Sequence, residues 1–263
     1  DRNMTLKKPS ISIFFPFLND WGTVGSLIGL TIDTVQKYTD NWEVLIINDG
    51  SRKEDREALE MIINSFTRLH LVRGATSRER IRIIDHKENR GYGGALISGF
   101  KEAKKELIFY TDCDAQYDPR ELSRLLQKLD NSTGMVNGYK IKRNDPWFRI
   151  IAGRVYHYLV KFAFQLPIRD TDCDFRLIRK SVFNPSASSG RTGVRLYENS
   201  GTICVELVKK IDHFGYKIKE VPVHHFWRTS GKSQFFNVAR LYKTGVNLLK
   251  LWWKLIIKKE YYS

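Results

Sequence analysis

The sequence predicts an α/β fold with a mixed, mostly parallel sheet flanked by helices, and three observations predict it. Short β-rich runs alternate with helical stretches over roughly the first 130 residues, the rhythm of strand–helix–strand units. Some of these runs, such as Trp42 to Asn48 (WEVLIIN), are apolar almost throughout, as strands covered on both faces are. Directly after the predicted strands come turns that carry acids or amides: Asn19-Asp20, Asp49, and Asp112 with Asp114.

The elements follow in order. Ser10 to Leu18 (SISIFFPFL) is the first strand, and Trp21 to Tyr38 has the apolar spacing of a helix. Trp42 to Asn48 is the second strand, stopped by the turn Asp49-Gly50-Ser51, and Glu54 to Phe66 is helical. Arg80 to Asp85 gives a short third strand. Tyr92 to Lys105 is a helix entered through a Gly-rich turn, and Glu106 to Thr111 is a fourth strand. Pro119 to Asp130 is helical, Ser132 to Lys142 holds a strand, Trp147 to Gln165 a helix, and Phe183 to Gly201 a Ser/Gly-rich loop. Thr202 to Phe214 is a helix, Tyr216 to His224 a strand, and a long amphipathic helix begins at Phe235. The organisation expected is one domain over residues 1–234 and a C-terminal helix over 235–263.

Bulk composition narrows the class. With 263 residues, 42% of them hydrophobic and 28% charged, the chain can bury a substantial core. A formal net charge of +15 calls for anionic company: nucleic acid, phosphorylated substrates or an acidic membrane surface. No helix-turn-helix, zinc-finger or RNA-binding aromatic signature supports nucleic acid. The three cysteines, Cys113, Cys173 and Cys204, have neither zinc-ribbon nor CxxC spacing, which predicts free thiols in a reducing compartment. No apolar run approaches the roughly 20 residues of a membrane span, and no signal-peptide pattern opens the chain. A start at Asp1, not Met, makes a processed or truncated piece an expectation.

In open parallel sheets ligands bind beyond the carboxyl ends of the strands, so the acids after those strands should gather at one edge. Asp112-x-Asp114 with Gln116 offers hard oxygen ligands on a turn, suited to Mg²⁺ or Mn²⁺ held together with substrate phosphates. The bland alternative is that the acids cap the helix near Pro119. Asn89 to Ala95 (NRGYGGA) can bring backbone N–H groups to an anionic or sugar group, or can serve close packing.

Pro16-Phe17-x-Asn19-Asp20, Asn48-Asp49-Gly50-Ser51, Asn89 to Ala95 and Asp112-x-Asp114, in that order, resemble the family 2 glycosyltransferases, which have the nucleotide-sugar-binding GT-A fold. DTDCDFRLIR (Asp170 to Arg179) and EVPVHHFWRTSGKS (Glu220 to Ser233) resemble the polyprenyl-phosphate (dolichyl-phosphate) mannose or glucose synthase branch. The resemblance implies that Pro16, Phe17, Asn19, Asp20, Asp49, Gly91 and Asp112 hold a UDP- or GDP-hexose. It implies that Asp114, with Asp112 and Gln116, holds the divalent ion. Two departures stand out: Asn48-Asp49 replaces the usual double Asp, and Asp20 replaces a Glu.

The acid pair that serves as base in members acting on hydroxyls aligns with Ile203-Cys204, which has no acid, and Glu206 is the nearest carboxylate. A phosphate acceptor, ionised with a second pKa of about 6, needs little help from a base. The resemblance therefore implies a polyprenyl-phosphate acceptor, with Arg228, Lys140 and Arg154 as the cations of the site and Lys232 and Ser233 beside Arg228. A hydroxyl acceptor, with Glu206 or a loop acid as base, is the alternative; a non-catalytic nucleic-acid binder is a third reading. Arg176 and Arg179 are expected to pair with Asp170, Asp172 or Asp174. His224 and His225 are expected to end a strand and not to bind metal. The Lys-faced, Trp-bearing tail suits an anionic membrane surface, which places the protein at the cytoplasmic face of a membrane; packing on its own domain or on a partner subunit is the alternative. Oligomeric state is left open.

Overall fold

The computed structural model describes residues 8–68, 80–141, 147–185, 190, 192–228 and 238–262. The elements run β1 (Ile11–Phe17), α1 (Trp21–Val35), β2 (Trp42–Asn48), α2 (Lys53–Arg68), β3 (Ile81–Asp85), α3 (Gly91–Glu102), β4 (Leu107–Thr111) and α4 (Leu122–Lys128). They continue with β5 (Thr133–Lys140), α5 (Trp147–Phe164), β6 (Phe175–Arg179), α6 (Ile203–His213), β7 (Lys217–Val223) and α7 (Val238–Trp252), which ends in a π-helical turn, Trp253–Ile257.

The seven strands form one sheet in the order β3-β2-β1-β4-β6-β5-β7. β1 is central, with Ile11 opposite both Trp42 of β2 and Leu107 of β4 in parallel register. Its seven residues are all buried, which explains why the run is apolar apart from Ser12, whose hydroxyl donates to Glu43 at 2.6 Å. The two-residue pleat sorts the side chains to two layers. Ile13 and Phe15 of β1, Val44 and Ile46 of β2 and Phe109 of β4 meet α1, α2 and α4. Phe14, Leu45, Ile47, Ile108 and Tyr110 meet α3, α5, α6 and α7 on the other face. The result is a three-layer sandwich of helices, sheet and helices.

β6 lies where the sequence reading places no strand. It runs antiparallel to both β4 and β5, and so stands between the first parallel block and the β5–β7 pair. Its sequence, FRLIR, carries Arg176 on a fully buried position, which hides it from a search for apolar runs. The C-terminal helix shares the main core: Leu251 of α7 and Leu255 of the π turn are buried in the same cluster as Phe14 and Tyr110. Among the described residues, no helix is long and apolar enough to cross a membrane.

Candidate active site

Three loops leave the carboxyl ends of β1, β2 and β4 side by side, because those strands are adjacent and parallel. Each turns through a left-handed residue: Asn19 at φ 61°, Gly50 at 71° and Ala115 at 57°. Gly50 must be glycine, since a Cβ there would lie 2.7 Å from the Asn89 backbone nitrogen. Asn19 clamps two of the loops together. Its side-chain oxygen accepts from the Arg52 N–H at 3.0 Å, and its own N–H donates to the Ser51 hydroxyl at 3.1 Å.

Between these loops lies a cleft of about 370 Å³, lined by Pro16, Phe17, Asp20, Asp49, Gly91, Asp112, Asp114 and Arg228, with Leu18, Asn89, Tyr92, Ala95 and Cys113 completing the wall. Asp112 and Asp114 do not cap the next helical turn. Asp118 does that, accepting from the Arg120 N–H at 2.9 Å beside Pro119. Asp112 instead accepts from the Tyr92 hydroxyl at 2.8 Å. Asp114 accepts the Gln116 N–H at 3.0 Å on one oxygen and the Arg228 guanidinium at 2.6 Å on the other. Gln116 in turn holds the segment that delivers Arg228: its carbonyl accepts the Phe226 N–H at 2.8 Å and its side-chain amide donates to the Phe226 carbonyl at 3.2 Å.

The carboxylates strain one another electrostatically. Burial, then the charges of Asp174 and Asp114, push the Asp112 carboxyl well above the usual aspartate range. Burial also raises Asp114, although Arg228 opposes it, and burial raises Asp20 against the same arginine. An acid raised in the folded state keeps a proton that the unfolded chain has already released, so native stability falls as pH rises from the ordinary value of 3.8 through the raised one. Without divalent cation or nucleotide, Asp112→Asn should therefore flatten that decline and melt above wild type at about pH 8. Thermal melts of both proteins from about pH 5 to pH 8 check this; an unshifted variant would contradict the repulsion.

Asp49 sits on the β2 loop with one oxygen fixed twice, by the Arg90 N–H at 2.9 Å and by His86 Nδ1 at 2.6 Å. Facing a carboxylate, Nδ1 carries the proton, and Nε2 meets the Ser98 hydroxyl at 2.8 Å. This buried chain from α3 to the cleft wall was not visible in the sequence, because its members are separated by 12 and 37 residues. If Asp49 receives the nucleotide base, His86→Ala should weaken nucleotide binding about tenfold through loss of that orientation. Calorimetric titration with the nucleoside diphosphate measures it, and unchanged affinity would show that Asp49 does not depend on His86.

The glycosyl transferase family 2 model matches residues 12–185, which span β1 to β6 and include every loop of the cleft except the segment bearing Arg228. The chain belongs to glycosyl transferase family 2. An undecaprenyl-phosphate 4-deoxy-4-formamido-L-arabinose transferase from Edwardsiella ictaluri (strain 93-146) is 26% identical over 227 residues. That match covers 86% of this chain and 62% of the relative, so the chain spans less than two thirds of the relative's length. Among solved structures, glucosyl-3-phosphoglycerate synthase from Mycobacterium tuberculosis with Mn²⁺, UDP and glucosyl-3-phosphoglycerate superposes with a TM-score of 0.63. The two are 13% identical over 93% of this chain and 80% of that one. The same enzyme with Mg²⁺ and UDP gives 0.64 at 14% identity, over 93% and 79%. At such identities the likeness concerns the fold, which is that of the GT-A glycosyltransferases.

The remaining residues of the chain separate into cleft and scaffold. Lys140 is engaged with the 170–172 loop: its ammonium donates to the Asp172 carbonyl at 2.8 Å and lies 4.0 Å from the Asp170 carboxylate. Arg154 is exposed on α5, outside the cleft lining. Lys232 and Ser233 lie outside the described residues. Arg176 does meet Asp174, at 3.7 Å, but Arg179 pairs with Glu106 at 3.1 Å instead of an acid of the 170–174 loop. Asp174, read from the sequence only as an arginine partner, bears electrostatically on both Asp112 and Asp114. His224 donates its N–H to Glu121 at 2.7 Å and binds the same carboxylate through Nδ1 at 2.8 Å.

Glu206 is buried, accepts the N–H groups of Tyr197 and Glu198 at 3.0 and 2.9 Å, and pairs with Lys210 at 3.0 Å. It fastens the 195–199 loop onto α6. That loop then packs on the start of α3, where the Asn199 carbonyl accepts the Gly93 N–H at 3.0 Å. A Cβ on Gly93 would run into the Glu198 carbonyl, so this glycine serves close packing and its N–H is already taken.

Among the described residues, no three His, Cys, Asp or Glu side chains are grouped as a metal site by themselves. The hard oxygens of Asp112 and Asp114, whose carboxyls are both raised by burial and by the charge of Asp174, do suit a divalent cation whose remaining ligands come from a substrate diphosphate.

Proposed function

We propose that this chain transfers a hexose from a UDP- or GDP-sugar to polyprenyl phosphate, with Mg²⁺ or Mn²⁺, and with inversion at the anomeric carbon. The observation that carries the reading is the meeting of Asp112, Asp114 and Arg228 in one cleft at the ends of the parallel strands. Pro16, Phe17, Asp20, Asp49 and Gly91 would enclose the nucleoside, with Asn19 setting the shape of the loop. Asp112 and Asp114 would hold the cation, with Gln116 beside them. A cation bound there neutralises charge that develops on the departing diphosphate.

An oxygen of the acceptor phosphate forms the new bond to the anomeric carbon as the bond to the donor diphosphate breaks. Arg228 would face the acceptor phosphate, with Lys232 and Ser233 following it in the chain. Lys140 and Arg154 would add positive potential from the scaffold, not direct contact. Ile203 and Cys204 supply no base, and Glu206 is committed to two backbone amides and Lys210, which weakens the alternative of a hydroxyl acceptor. The name of the Edwardsiella relative, an undecaprenyl-phosphate sugar transferase, supports a polyprenyl-phosphate acceptor. Such an acceptor places the chain at the cytoplasmic face of a membrane, with residues 235–263 against an anionic surface.

Incubating the protein with labelled UDP-glucose or GDP-mannose, Mn²⁺ or Mg²⁺, and polyprenyl phosphate tests the reading. Label should enter the lipid fraction with one nucleotide class and should require the cation. Label that moves only to water or to a hydroxyl acceptor would refute it.

A further inference from the structure

α5 and α7 lie on the same face of the sheet, and both carry apolar side chains that nothing among the described residues covers. On α5, Val155, Tyr158, Leu159 and Phe162 are exposed, Phe162 by 88%. Their spacing of three and four puts them on one stripe, while Val160 and Phe164 of the same helix enter the core.

α7 has three stripes instead of the usual two. Leu248, Leu251 and Leu255 face inward. Lys243, Lys250 and Lys254 are exposed along a second line. Tyr242, Leu249 and Trp253 form a third, with Tyr242 77% and Leu249 69% exposed. The inward stripe already accounts for the helix packing, so the outer apolar stripe has no role within the described fold.

Trp252 and Ile256, each three residues on from Leu249 and Trp253, carry the apolar surface of the C-terminal helix towards α5. Trp252 donates its indole N–H to the Ala163 carbonyl at 3.0 Å, fixing the end of α7 against the end of α5. At this junction Tyr158, Phe162, Trp252 and Ile256 line an open apolar hollow of about 760 Å³, with Lys161 at its edge. Scattered exposed apolar residues are ordinary, but a continuous patch built by two helices marks a contact surface.

Charge decides what it contacts. Neither residues 147–164 nor residues 238–259 contain a single Asp or Glu. Lys161 lines the hollow, Lys243, Lys250 and Lys254 are exposed along the C-terminal helix, and Lys258, exposed beyond them, lies 3.4 Å from Glu260. A second copy of this chain docking through the same patch by a two-fold axis would bring lysine against lysine. An anionic lipid surface meets both features, since aromatic and aliphatic side chains enter the headgroup boundary and lysines meet the lipid charge. We infer that α5 and α7 together form a membrane-docking face for anionic bilayers, in which α5, through Phe162 and Leu159, inserts beside the C-terminal helix. This extends the proposed membrane contact from one helix to a composite face, and it rests on that reading only for the expectation that the acceptor is a membrane lipid.

Sedimentation with phosphatidylcholine vesicles, with and without phosphatidylglycerol, tests it without any donor or acceptor. Wild type should partition to the anionic vesicles, less so at high salt. Phe162→Ser should partition about tenfold more weakly, and Leu159→Ser should weaken partitioning in the same sense. Met61→Ser, which removes a side chain 68% exposed on α2 at the opposite face, should bind as wild type does. Equal partitioning of wild type and Phe162→Ser would overturn the inference. So would a wild-type dimer in light scattering that Phe162→Ser converts to monomer, which would assign the face to a second copy. Transfer to a detergent-dispersed short-chain polyprenyl phosphate should be unchanged in Phe162→Ser. If vesicle binding behaves as expected while wild type transfers nothing, the transfer reading fails and the docking face stands.

Discussion

Asp114→Asn is expected to lower sugar transfer by a factor on the order of 10³ and to abolish cation-dependent nucleotide binding. The substitution keeps size but replaces one of the two accepting oxygens with an amide donor, and it removes the charge that Arg228 meets at 2.6 Å and that a cation would meet during turnover. Its neighbour Asp118 serves as the control. That residue caps the Pro119–Glu121 turn and pairs with the exposed Arg120 guanidinium at 2.7 Å, so Asp118→Asn should cost no more than about 1 kcal/mol of stability and leave transfer within a few-fold of wild type. Initial rates with labelled donor, and nucleotide titrations with and without Mn²⁺, measure both. Turnover by Asp114→Asn near the wild-type rate would remove this aspartate from the chemistry and, with it, the cation site.

The second large effect is on stability. Arg176 is fully buried in the middle of β6. Its guanidinium donates to Asn137 on β5 at 2.7 Å, to the Tyr110 hydroxyl on β4 at 2.7 Å and to the Thr171 carbonyl at 2.8 Å, with the Asp174 carboxylate 3.7 Å away. Arg176→Ala would leave these acceptors without their donor in a site closed to water. Removing one member of such a buried ionic network costs about 3–5 kcal/mol. For a chain of this length that lowers the melting temperature by on the order of 10 °C. Urea midpoints of the two proteins check it, and a loss below about 1 kcal/mol would mean that the network relaxes onto water.

Those two arginine contacts also mark the boundary of what could be read from the chain. The strands β1, β2 and β4 were legible because burial on both faces leaves no polar alternation, and the acids after them were legible because parallel strands end at a common edge. Arg228 was legible only through the motif around it. The Asn89 to Ala95 turn left two readings open, and only the 195–199 loop packed against it distinguishes them for Gly93. β6 was missed because a buried arginine breaks the apolar pattern, and nothing nearby in sequence says that its charge will be met.

Local order along this polypeptide, then, determined the alternation of helix and strand, the edge at which the acids collect and the family to which the chain belongs. Those depend on neighbours within a few positions, where side-chain period and turn chemistry act. The assignment of individual charges was decided only by tertiary structure. Lys140 went to the 170–172 loop, Glu206 to two backbone amides, Asp49 to His86 and Asp174 to the acid pair, because each partner lies outside the few positions over which local pattern acts, the nearest of them 8 residues away, and the Coulomb energy of a charge depends on distance in space.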